Sequence, residues 1–182
     1  MRKTLQLIII IITIFGFFSN TKTVHADITV DISAGTVSAL STVVLDFESE
    51  NNDDKLKAIG KDISQIIKND LSSSKLFRMI NPKSFLRAFE TVGSVPNFND
   101  WQAIKTKVLV LGKISERDDK KLRIEFHVWD IALQEQKESG ALITTSKNYR
   151  RIAHMISDYI YTAMTGESGY FDTRIVYISE TG

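Results

Sequence analysis

Residues 107–114 (KVLVLGKI) restrict the possible fold more than any other stretch, because they are apolar almost without interruption over the length of one strand. A strand with one face in water alternates polar and apolar residues, whereas a strand covered on both faces has no need to alternate. The stretch therefore predicts a central strand of a sheet that other elements cover on both sides. Helices are the usual cover of such a sheet, so the expected class is α/β.

Two segments supply helices long enough to cover this sheet. Residues 54–73 and 148–165 both carry apolar residues at helical spacing. In the first segment these are Leu56, Ile59, Ile63, Ile66, Ile67 and Leu71, and in the second they are Ile152, Ile156, Tyr159, Ile160 and Ala163. Asn148 is the expected N-cap of the second helix, and Gly166 is its expected stop.

The remaining segments predict strands, one short helix and a short helical turn at 84–89. Residues 41–47 and 77–80 are apolar enough for strands, and residues 121–131 alternate with Leu122, Ile124, Phe126 and Val128 on one face. Residues 134–136 are expected to turn into a return strand at 141–145. A short helix is expected at 99–104, with Asn99 or Asp100 as cap and Trp101 as a core anchor. The sequence thus predicts an α/β (α+β) domain, a small mixed sheet packed by two main helices.

Residues 1–26 have the layout of a secretory signal peptide. Arg2 and Lys3 precede an apolar run of about 12 residues, and residues 24–26 (VHA) fit a cleavage site between Ala26 and Asp27. The alternative is an uncleaved membrane anchor, but the run is shorter than the roughly 20 residues that a spanning helix needs. We therefore expect an exported protein with no integral membrane segment after cleavage.

Charge and cysteine content exclude several function classes. Removal of Arg2, Lys3 and Lys22 with the leader lowers the basic residues from 23 to 20, against 22 acidic residues. Nucleic-acid binding needs a basic face, so a nucleic-acid partner is not expected. The chain contains no cysteine, which excludes disulfides, thiol catalysis and cysteine-bound metals.

No recognisable catalytic set is present, and we predict neither enzymatic activity nor a cofactor. Of the three histidines, His25 lies in the leader, and His127 and His154 are not spaced as a metal pair. The acidic residues 48–54 could form a calcium loop, but they lack the glycine and the terminal glutamate of an EF-hand. We favour a solvated loop that leads into the first helix, whose N-terminus favours acidic residues.

The end of the chain resembles one family specifically. Ser157-Asp158-x-Ile160-Tyr161 is followed by Met164-Thr165-Gly166-x-x-Gly169-x-Phe171-x-Thr173-Arg174-Ile175-x-Tyr177. This pattern resembles the junction in the TolB family, periplasmic proteins of the Tol–Pal envelope system, where a small N-terminal α/β domain joins a six-bladed β-propeller. The order of Trp101, a short helix, the apolar strand and Gly112 is also similar.

The resemblance implies a domain organisation and a function. It implies a signal peptide at 1–26, a TolB-like N-terminal domain at 27–165, and a junction at 166–182 that holds the first strand of a propeller missing from this sequence. It implies a non-enzymatic periplasmic interaction module that contacts TolA and supports outer-membrane integrity and invagination during cell division. Binding of the lipoprotein Pal is expected only where a propeller is supplied. The alternative is a small exported hydrolase or ligand-binding domain.

The resemblance also points to a partner-binding segment at the mature N-terminus. In the family the TolA contact lies at this terminus, which corresponds here to Asp27, Ile28, Thr29, Val30, Asp31, Ile32, Ser33, Ala34 and Gly35. The first six residues alternate polar and apolar, so they can add a strand to a partner's sheet. The alternative is that they form an edge strand of the domain itself.

Overall fold

The apolar run forms the strand Val108–Glu116 in the computed structural model, which describes residues 38–81 and 91–173. Four predictions fall outside the described residues. They are the signal peptide, the partner-binding segment at 27–35, a short helical turn at 84–89 and the final strand at 174–178.

Strands and helices alternate along the first part of the described chain, and a long hairpin and a helix form the second part. In chain order the elements are β1 (Leu40–Val44), β2 (Glu48–Ser49), a 3-10 turn (Glu50–Asn52), α1 (Asp54–Ser73), β3 (Phe77–Met79), α2 (Phe98–Ala103), β4 (Val108–Glu116), β5 (Leu122–Asp130), β6 (Glu135–Thr144) and α3 (Tyr149–Thr165).

The strands form one mixed sheet in the order β3-β1-β4-β5-β6, with β2 paired to β4 beyond the end of β1. β1 runs parallel to both β3 and β4, whereas β4, β5 and β6 are antiparallel neighbours. β4 thus lies inside the sheet, as its composition predicted. Its alternate residues reach opposite faces, which explains why both sets are apolar.

Helices α1 and α3 pack on one face of the sheet and enclose the larger core. From β4 this core receives Val108, Val110 and Ile114, none of which is exposed. The four apolar residues predicted on one face of β5 are all in this core. The two main helices and the mixed sheet of the predicted fold are therefore confirmed.

The opposite face of the sheet carries a smaller apolar cluster under α2. Leu109 and Leu111 of β4 meet Trp101 of α2 and Trp129 of β5 there. Trp101 is only 2% exposed, which confirms its role as a core anchor. Together the two clusters cover β4 on both sides.

Local capping and turns differ from the predictions at several places. α2 begins one residue earlier than predicted, and Asn97 is at its N-cap position in place of Asn99 or Asp100. The turn between β5 and β6 ends at Gln134, so the predicted turn at 134–136 is wrong for its last two residues, which already belong to β6. The reason is Asp130, whose Oδ1 accepts the amides of Ala132 and Leu133 and closes the turn early.

The ends of α3 are mostly as predicted. Asn148 is at the N-cap position, but its side chain makes no capping hydrogen bond within the described residues. Gly166 ends the helix in the left-handed conformation (φ 76°), as the sequence indicated. Tyr159, placed on the apolar stripe, lies at its border and is 42% exposed, while Ser157 is fully buried.

Candidate functional site

The predicted partner-binding residues, Asp27 to Gly35, lie outside the described part of the chain. Four residues separate Gly35 from Leu40, where β1 begins. β1 lies between β3 and β4 and is hydrogen-bonded to both. The predicted segment therefore precedes an internal strand of the described sheet by four residues.

β6 forms one margin of the sheet within the described residues, because it pairs there with β5 alone. It is ten residues long, and along much of its length exposed and partly exposed residues alternate. Ile143 is 49% exposed. Lys137 and a bulge opposite Val128 and Trp129 lie along this strand, and both are features that discourage unspecific edge pairing. An exposed strand edge is a feature of domains that act by protein–protein contact.

A groove of about 370 Å³ lies between α3 and β6. Its lining is Glu138, Met155, Asp158, Tyr159, Thr162 and Asp172. Tyr159 stacks on Phe126 with ring centroids 5.6 Å apart, which fixes one wall. The two aspartates in the lining already bind other groups of the chain, so the groove presents few free polar atoms to a small ligand.

A second groove, of about 480 Å³, lies beside the acidic residues that could have formed a calcium loop. Here the acidic side chains have structural partners. Asp53 caps α1 by accepting the Leu56 amide at 2.8 Å, and Glu50 pairs with Lys113 at 3.1 Å. The described residues contain no group of three or more histidines, aspartates or glutamates placed to hold a metal ion. The acidic stretch leads into α1, as we favoured, but it is not a loop throughout, because Glu48 and Ser49 pair with β4 as β2 and residues 50–52 form a 3-10 turn.

The pKa shifts of nearby carboxylates have simple structural causes. Partial burial acts to raise the pKa of Asp46, but the hydrogen bond and charge of Lys68, with help from Ser64, outweigh it and hold the pKa below its usual value. Burial raises the pKa of Glu48, and the charge of Lys113 opposes this effect. These two carboxylates line the second groove, and Asp46 accepts hydrogen bonds from Ser64 Oγ at 2.9 Å and Lys68 Nζ at 3.0 Å.

His154, Asp70 and Ser157 form a polar contact between α1 and α3. His154 Nδ1 and Ser157 Oγ both lie 2.8 Å from the same oxygen of Asp70. Ser157 is fully buried and also donates to the Ala153 carbonyl, so its hydroxyl is not available as a nucleophile. The histidine contacts the carboxylate and not the serine, which is the wrong order for activation of a hydroxyl. The arrangement joins two helices, and His154 is a half-buried helix residue within it.

Residues 166–173 fold back onto α3 at the end of the described chain. The Asp158 carboxylate accepts the amide of Phe171 at 2.7 Å and the amide of Asp172 at 3.1 Å. Arg151 donates to both oxygens of Asp172, and this hydrogen bonding raises the arginine pKa. Gly169 leaves no room for a side chain, because a Cβ there would overlap Asp158. We call Arg151, Asp158 and residues 166–173 the junction clamp.

Sequence reasoning found Asp158 and part of residues 166–173 only as members of a family pattern. It did not single out Arg151, and it assigned no role to either side chain. The available signal was the spacing of two glycines after a helix with an acidic residue two turns earlier.

Among the described residues, no helix combines the length and the apolar character required to cross a membrane.

Comparison with known proteins gives one consistent result. Residues 28–137 match the family model of the TolB amino-terminal domain. The Tol-Pal system protein TolB of Paramagnetospirillum magneticum is 37% identical over 158 residues, covering 87% of this chain and 35% of that protein. The Tol-Pal system protein TolB of Pelagibacter ubique is 38% identical over 162 residues, covering 85% and 36%. The chain thus spans about a third of the length of these curated relatives.

The fold agrees with the sequence comparison. The crystal structure of TolB from Acinetobacter baumannii superposes with a TM-score of 0.59 at 24% identity, covering 72% of this chain and 30% of that one. The matching region includes the mixed α/β architecture described above. The chain therefore belongs to the TolB family, and the part that the family model matches is the amino-terminal domain.

Proposed function

We propose that this chain is a non-enzymatic protein–protein interaction module of the Tol–Pal system that works in the periplasm. In this role it contacts TolA through residues 27–35 and supports outer-membrane integrity and invagination during cell division. The observation that carries the proposal is the match to the TolB amino-terminal domain, which begins at Ile28, inside that segment.

The described residues support a binding role by their chemistry. The buried serine and the histidine of α3 are used to join helices, and the acidic loop is used to cap α1. The margin of the sheet at β6 is long and partly exposed. Among the described residues, these features provide no specific support for the alternative of a small hydrolase or ligand-binding domain.

Residues 27–35 suit strand addition because apolar and polar residues alternate over the first six, so that in an extended strand the apolar side chains would share one face. Ile28, Val30 and Ile32 would pack against the partner, while the polar residues between them stay in water. The main chain would supply the hydrogen bonds to the edge of the partner's sheet.

Deletion of residues 27–35 tests the TolA contact directly. The melting temperature should stay nearly unchanged, while capture of the TolA C-terminal domain by the purified chain should be lost. A matched pair of variants sharpens the test: serines at the three apolar positions should abolish capture, and serines at the three polar positions before Ser33 should preserve it. Unchanged capture by the deleted chain would place the contact elsewhere on the domain.

Export and the second partner have separate tests. N-terminal sequencing of the mature protein should begin at Asp27, and a membrane-bound product that retains Met1 would contradict export with cleavage. Pal should not be captured by this chain alone, because in the family that contact belongs to the propeller. Pal capture equal to that of a relative with its propeller would refute this division of partners.

A further inference from the structure

The junction clamp holds the main chain after α3 through side chains of the helix itself. Asp158 receives two consecutive backbone amides, those of Phe171 and Asp172, on its two carboxylate oxygens. A carboxylate that accepts backbone N–H groups makes charge-assisted hydrogen bonds, which are stronger than neutral ones. Because the contacts are to the backbone, they fix the path of the chain and not merely the position of one side chain.

Other contacts hold the same segment from both sides. Arg151 and Asp172 form a two-point ion pair, with donor–acceptor distances of 3.1 to 3.2 Å. The ring of Phe171 lies 5.9 Å from that of Tyr161, which is buried at the edge of the main core. Tyr170 packs on both rings. The segment is thus tied to α3 by charge, by hydrogen bonds and by aromatic packing.

The backbone of the segment is built for this close approach. Gly166 turns the chain back in the left-handed conformation, which a residue without Cβ adopts at least cost. Gly169 then passes against Asp158 with no space for a side chain. A residue with a Cβ at position 169 would push the chain off the helix and separate both amides from the carboxylate.

We infer that Asp158 is a positioning residue that, with Arg151, fixes the direction in which the polypeptide leaves the domain. Any segment that follows Thr173 would then begin at a fixed position and in a fixed direction, on the face of the sheet that α3 covers. The relatives continue well beyond this point, since this chain spans only about a third of their length. The inference goes beyond the proposed function, because it does not depend on which protein residues 27–35 bind.

A distance measurement within the chain tests the inference. The chain contains no cysteine, so Ala58→Cys on α1 and Thr173→Cys can be spin-labelled without background. Double electron–electron resonance should give a narrow distance distribution in the parent. The distribution should broaden markedly in Asp158→Ala, and the amides of Phe171 and Asp172 should exchange at least tenfold faster.

Two further variants separate positioning from simple loss of structure. Glu138→Gln removes a carboxylate from the same groove, and its Oε1 accepts only the neighbouring Ser139 amide among the described residues, so it should leave the distribution narrow. If Asp158→Ala does not fold, Asp158→Asn serves instead. Its side-chain NH₂ group is a donor and cannot accept, so it leaves one of the two backbone amides without its hydrogen bond. A broad distribution in the parent, or a narrow one in a folded Asp158 variant, would overturn the inference.

Discussion

Gly112 of β4 lies directly under the ring of Phe47, and its replacement by alanine should destabilise the domain. A Cβ at position 112 would overlap three carbon atoms of that ring. Phe47 is 3% exposed and belongs to the main core. Its backbone cannot retreat easily, because Gly60 of α1 packs against the Phe47 carbonyl oxygen. The added methyl group must therefore displace the whole segment between β1 and β2.

The expected magnitude follows from this lack of free space. Extra methyl groups in a well-packed core cost about 1–3 kcal/mol, and the backing by Gly60 places Gly112→Ala at about 2–3 kcal/mol. In a strand with free space beside the glycine, the same change would raise the free energy of unfolding by roughly 0.5–1 kcal/mol. The sign of the measured change is therefore informative in itself. The variant should melt about 8–12 °C below the parent, at roughly 4 °C per kcal/mol for a domain of this size.

A double-mutant cycle with Phe47→Leu checks the cause. The smaller side chain should itself cost about 1–2 kcal/mol, but in that background Gly112→Ala should cost less than about 1 kcal/mol. Urea unfolding followed by tryptophan fluorescence measures all four proteins. Ser115→Ala, on the opposite face of β4, is the control and should cost about 1 kcal/mol or less. Equal costs of Gly112→Ala in both backgrounds would refute the overlap with Phe47.

Three further changes test other contacts. Val110→Asp should unfold the domain, since an unpaired buried charge costs several kcal/mol, which is comparable with the total stability. If circular dichroism gives a melting temperature within a degree or two of the parent, β4 is not a central strand. Lys68→Met should lower the melting temperature slightly at pH 6, because Asp46 has a folded pKa below its usual 3.8. That stabilisation is present above pH 3.8 and is lost as the pH falls through the lower folded pKa, so the difference between the two proteins should shrink as the pH is lowered below 3.8. Ser157→Ala should lower the free energy of unfolding, measured with urea, by about 1–3 kcal/mol, because Asp70 loses a hydrogen-bond donor. A decrease below about 0.5 kcal/mol would show that the hydroxyl is dispensable.

The parts of the fold that sequence reasoning predicted are those set by periodicity. α1 was predicted at its observed bounds because its apolar residues repeat over 20 residues, which is long enough to define one face. β4 was predicted because no other arrangement hides apolar residues on both sides of a strand. The pattern also placed the core residues of β5 correctly. These signals are local and repeated, so a single sequence contains them.

The parts that sequence reasoning missed depend on single side chains or on distant contacts. Asn97, Asn99 and Asp100 are all acceptable caps, and the choice among them depends on where Trp101 meets the sheet. The early end of the hairpin turn depends on one carboxylate, that of Asp130. The close approach of Gly112 to Phe47 joins residues 65 positions apart. No local pattern reports such contacts.

The junction clamp and the start of β1 share one core. Leu40, at the start of β1, and Phe171, in the junction clamp, both pack against the cluster between the sheet and the two main helices. β1 is hydrogen-bonded to a strand on each side, so a pull along it is resisted by two ladders at once. A force applied at the start of β1 would therefore act on the core against which the junction clamp also packs.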